Sequence, residues 1–81
     1  MNNPKVVLFV VTSKGFDGKD YTNEYLATFD EKSNGYVVSN ETQGCYTAGP
    51  TLKGEPYTLV DVRKFFSFYL GGVILSEDII E

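Results

Sequence analysis

The apolar positions of this 81-residue chain fall into four stretches separated by glycine-rich or charged breaks. The first runs from residue 5 to 12, KVVLFVVT, and is β-branched and apolar at both alternating sets of positions. A strand without a polar face is one screened on both sides, so this segment is read as a central strand covered on both faces. Residues 13–20 then hold two glycines and four charges among eight positions, which breaks the pattern and predicts a loop.

Two readings fit residues 22–39. As strands, Tyr25, Ala27 and Phe29 alternate with Leu26, Thr28 and Asp30, and Tyr36-Val37-Val38 follows Asn34-Gly35. An Asn-Gly pair between alternating segments signals a two-residue type I′ hairpin turn, in which both central residues need positive φ. That turn sets Ser33 opposite Tyr36, Phe29 opposite Asn40 and Glu31 opposite Val38. Tyr25, Ala27, Phe29, Tyr36 and Val38 then share one face. As a helix, Thr22 caps residues 23–33 and Gly35 stops them.

Residues 40–57, with three glycines and two prolines, read as a long loop, with a short strand at Cys45-Tyr46-Thr47. The clearest element follows. Thr58 is placed to cap a helix, with Asp61 in the capping-box position. Leu59, Val62, Phe66 and Tyr69 form its core-facing stripe, and Gly71-Gly72 stops it. Val73-Ile74-Leu75 begins a final strand, which residues 76–81 either prolong or leave as a frayed turn. The fold class is α+β: a small antiparallel or mixed sheet of about four strands, with one α-helix near 59–70 packed on one face. One compact domain spans residues 1–81.

Composition changes the picture mainly by exclusion. Val, Leu, Ile and Phe stand well above the roughly 20% below which chains tend to stay disordered. The chain has no histidine, the usual base near neutral pH and the commonest metal ligand. Its one cysteine, Cys45, cannot form an internal disulfide, which argues for a reducing cytoplasm and against a stapled secreted domain. The apolar run at the start is too short for a signal peptide, and no stretch approaches the roughly 20 apolar residues of a membrane span. Seven basic against eleven acidic residues leave a net charge of −4, which disfavours nucleic acid, itself densely negative.

Candidate chemistry is sparse. Gly15-Phe16-Asp17-Gly18 has the G-x-x-G form of an RNA-clamping loop, but it follows a strand and its two flanking lysines are offset by Asp17 and Asp20. Cys45 has no histidine to activate it. The carboxylate pairs Asp30-Glu31 and Glu77-Asp78 fall in a turn and near the terminus, where solvent keeps them ordinary acids. No cofactor, metal or catalytic residue is expected, and the chain is read as a non-enzyme.

Six Phe and six Tyr are the positive signal. In the helix, Phe65 and Phe68 lie beside the core stripe and form a candidate apolar patch. Tyr21, Tyr25 and Tyr36 are candidate contact residues because tyrosine offers large area at small entropic cost, with Glu77 and Asp78 as a polar rim. The expected function is a small cytoplasmic protein-binding module. A phage or mobile-element accessory or inhibitor protein that blocks a surface of a larger host protein fits this description. The alternatives are a self-assembling homo-oligomer and, more weakly, a binder of single-stranded nucleic acid.

Overall fold

The computed structural model describes residues 4–50 and 58–81. Five strands, β1 (Val6–Lys14), β2 (Asp20–Asp30), β3 (Gly35–Asn40), β4 (Cys45–Ala48) and β5 (Val73–Ile79), form one antiparallel sheet in the order β4-β3-β2-β1-β5. The helix α1 (Leu59–Lys64) continues directly into a π-helical turn, Phe65–Tyr69. The α+β class stands. The strand count is five rather than about four, because residues 45–48 and the whole of 73–79 pair.

β1 and β2 pair without interruption from Val6↔Thr28 to Lys14↔Asp20. The turn between them is closed by the Gly15 N–H donating to the Lys19 carbonyl at 2.9 Å. The helical reading of 22–33 is therefore overturned: these residues alternate in a strand whose Tyr25 and Ala27 are buried. The hairpin between β2 and β3 exists, but its register differs from that of an Asn-Gly turn. Phe29 faces Tyr36, and Tyr25 faces Asn40, around a four-residue turn at 31–34. Asn34 alone takes positive φ, at 57°, while Gly35 already belongs to β3. Asp30 explains the longer turn, because its carboxylate accepts from the Ser33 hydroxyl at 2.7 Å and the Lys32 N–H at 3.3 Å. The slip is four positions, an even number, so every side chain keeps its predicted face.

β5 returns antiparallel to β1 on its other side, from Val7↔Ile79 to Thr12↔Val73, with Leu75 bulged out where the register shifts. Ile80 N–H still donates to the Val6 carbonyl at 2.8 Å, so the terminal segment prolongs the strand. β1 thus has strands on both sides, but it is β2 that lies in the middle.

The core occupies one face. Val7, Phe9 and Val11 of β1, Tyr25 and Ala27 of β2, and Tyr36 and Val38 of β3 are buried beneath Val62 and Phe66. Phe66 locks the helix in place, with ring centroids 5.1 Å from Phe9 and 4.9 Å from Tyr25. Burying one such ring is worth about 1.5–3 kcal/mol. Thr58 caps α1 as expected: its hydroxyl accepts from Asp61 N–H, and the Asp61 carboxylate accepts from Thr58 N–H.

Two expectations give way here. Tyr69 is not on the core stripe. In the π-turn, the Leu70 N–H reaches back five residues to the Phe65 carbonyl. The extra residue rotates Tyr69 out to solvent and brings Leu70 against the core, so the stripe is Leu59, Val62, Phe66, Leu70. Nor is β1 covered on both faces. Among the described residues, no element lies over Val6, Leu8 and Val10, which stay half-buried through their sheet neighbours.

Candidate functional site

The helix delivers its last aromatic side chains to one end of the molecule. Gly71, at φ 61°, turns the chain, and Gly72 passes so close to β1 that a Cβ there would stand 2.7 Å from Val11 Cγ1 and 3.1 Å from the Thr12 carbonyl. This contact sets the helix terminus against Val11 and Thr12, in the half of β1 that leads to the β1–β2 turn. Phe68 and Tyr69, just before this terminus, are 79% and 76% exposed. Phe16, at the tip of the turn, is fully exposed and Tyr21 half-exposed.

Tyr21 is held in a defined pose. Its ring crosses Gly15, where a Cβ would meet Tyr21 Cε2 at 2.6 Å, and its hydroxyl donates to the Asp17 carboxylate. That bond holds the Asp17 carboxyl below its usual range and pushes the Tyr21 phenol up. A phenol so raised keeps its proton at neutral pH and serves as a donor rather than a base.

The other sequence-predicted residues separate. Phe65 is half-buried: it meets Phe66 edge-on at 5.9 Å and stacks on Tyr69 at 5.6 Å. It supports the exposed pair rather than joining it. Tyr36 is fully buried, with its hydroxyl donating to the Pro4 carbonyl at 2.6 Å, and burial pushes its phenol up. Tyr25 is buried beside Phe66, and burial likewise raises its phenol. Both rings are core, out of reach of a partner. Glu77 lies on the helix side of β5 and accepts two bonds from Arg63, from Nε and Nη2, each at 2.7 Å. Asp78, opposite Leu8, is on the other face.

The uncovered face is a surface that the sequence reading did not single out. Strand register runs a row across all five strands: Asp78, Leu8, Leu26, Ser39, Tyr46. Rows beside it hold Ser76, Val10 and Glu24, and Val6, Thr28 and Val37. The signal was present in the apolar even-numbered positions of 6–10, but it was absorbed by the expectation of a second cover. Tyr69 and Phe16 were missed for different reasons. Tyr69 has perfect helical spacing for a core position, and Phe16 stands alone in a charged turn.

Among the described residues, no three His, Cys, Asp or Glu side chains gather to hold a metal ion, and Cys45 is an exposed free thiol. No described helix is long and apolar enough to cross a membrane. Comparison with known protein families, curated proteins and solved structures finds no match, so the functional reading rests on the residues alone.

Proposed function

We propose that this chain is a small non-enzymatic protein-binding module that occupies a surface of a larger protein, in the manner of an accessory or inhibitor protein. The observation that supports the reading is the exposure of Phe68 and Tyr69 at the helix terminus, and of Phe16 and Tyr21 at the β1–β2 turn, on a sheet whose helix-facing side already holds a buried core. Aromatic side chains are enriched in interface cores and among the residues that dominate binding energy. Phe68 and Tyr69 stand on a helix anchored by Phe66, so they are presented on a rigid support.

The test is affinity capture of the tagged chain from a nuclease-treated lysate of its native host, in parallel with a Phe68→Ala/Tyr69→Ala variant. One stoichiometric partner that the variant loses, at an unchanged melting temperature, is the expected result. Capture that the variant leaves intact would remove the aromatic end from the interface. Recovery of the chain alone would favour self-assembly, a second reading supported by the outer edge of β5, which pairs with no other strand among the described residues. That edge is seven residues long and carries exposed Val73, Leu75 and Ile79, and unpaired strand edges invite pairing between copies. A multimer at micromolar concentration would establish it.

A further inference from the structure

We infer that the uncovered face of the sheet is a second docking surface, one that takes a cationic amphipathic helix of a partner protein. The apolar strip is continuous: Leu8 and Leu26 are cross-strand neighbours, Val6 and Val10 flank Leu8 along β1, and Val37 lies across Thr28 from Val6. Hydroxyl side chains fill the gaps, from Thr28, Ser39 and Ser76.

Charge decides the occupant. Strand pairing places Asp20, Glu24 and Asp78 on this face, and Glu41 joins them by accepting from the Ser39 hydroxyl at 2.9 Å. The cation that the strands place here is Lys14, and it is already engaged with Asp20 at 3.2 Å. Glu24, Glu41 and Asp78 make no ion pair with a described residue. They stand around the strip as an uncompensated acidic rim. A complementary partner brings apolar side chains rimmed by Lys or Arg. A second copy would set this rim against its own, and nucleic acid would set phosphates against it.

The other face of the same sheet shows which shape fits. There α1 packs on β3 and the π-turn that follows it sets Phe66 against Phe9 of β1 and Tyr25 of β2. A helix of similar girth, presenting an apolar stripe to Leu8, Leu26, Val10 and Val37, would complete a three-layer arrangement of helix, sheet and helix. This surface is separate from the aromatic end, so either can fail alone.

The test uses the whole chain with ¹³C-labelled Val and Leu methyl groups. The probes are a Leu/Lys amphipathic peptide of about five helical turns and its Leu/Glu counterpart. The expected result is a saturable shift of the Val6, Leu8, Val10, Leu26 and Val37 methyls with the Lys peptide and none with the Glu peptide. Leu26→Lys should weaken binding about tenfold or more, as should Glu24→Gln combined with Asp78→Asn, while the Val7, Val11, Val38 and Val62 methyls keep their core positions. Equal response to both peptides, or no response, would overturn the proposal. Shifts confined to Val73 and Leu75 would overturn it too, leaving the binding-module reading in place. A multimer whose contact buries the Leu8 and Leu26 methyls would replace the helix with a second copy.

Discussion

At the scale of single residues, Phe66 and Phe68 are two positions apart in sequence and opposite in role. Phe66 has no exposed surface and touches two core rings, whereas Phe68 is mostly in water. Replacing Phe66 by Ala should therefore cost about 3–5 kcal/mol, through lost burial and the cavity left behind. Phe68→Ala should stay within about 0.5 kcal/mol of the parent. Denaturant unfolding of the two variants measures both, and a large loss at Phe68 would return that ring to the core. The tyrosines make the same point. Tyr36 and Tyr46 have the same chemistry, yet one hydroxyl is sealed against the Pro4 carbonyl and the other side chain is exposed. Composition alone cannot separate them, because burial of an aromatic ring is decided by what crosses above its strand.

At the scale of elements, helix start and stop signals were read directly from sequence because they act within a few residues. The Thr58–Asp61 capping box and the turn at Gly71 are both present. The two glycines differ, however. Gly71 supplies a positive φ, with nothing within 4 Å of its missing Cβ, while Gly72 supplies space against Val11 and the Thr12 carbonyl. Gly72→Ala should thus lower stability by about 1–3 kcal/mol through overpacking, seen as a lower denaturation midpoint with unchanged slope. An unchanged midpoint would mean that the helix terminus can move off β1. The π-turn and the β2–β3 register were not legible. Both depend on competition between near-equal local choices, and packing of Leu70 and hydrogen bonding by Asp30 settle them.

At the scale of the whole molecule, the paired contact of Arg63 with Glu77 ties the helix to the edge strand outside the core. The guanidinium holds the Glu77 carboxyl below its ordinary value of 4.5. A carboxyl depressed on folding stabilises the protein fully above that value, and the contribution is lost as pH falls through the folded pKa. The two side chains are 42% and 31% exposed, so solvent screening keeps the contribution below about 1 kcal/mol. Glu77→Gln should melt lower than the parent at pH 6, and the gap should narrow as pH falls below about 4.5 and close only below the lowered pKa of the folded state. A gap that is the same at pH 6 and pH 3 would show that the pair contributes packing rather than charge.

What the sequence determined by itself was everything carried by short-range periodicity and capping. The strand at 5–12, the helix after Thr58 and the final strand after Gly72 all follow from patterns closed within a few residues. Residues 22–39, by contrast, fitted a hairpin or a helix until pairing with β1 decided for strands. Face assignment survived even a four-residue error in register, since alternation has a period of two. What only the tertiary structure decided was how many layers these elements make. An apolar β1 announces two hydrophobic faces but cannot say whether both are covered, because the cover comes from distant chain, and one helix covers one face. The second face, with its acidic rim, exists only once five strands lie side by side and bring Glu24, Glu41 and Asp78 around Leu8 and Leu26.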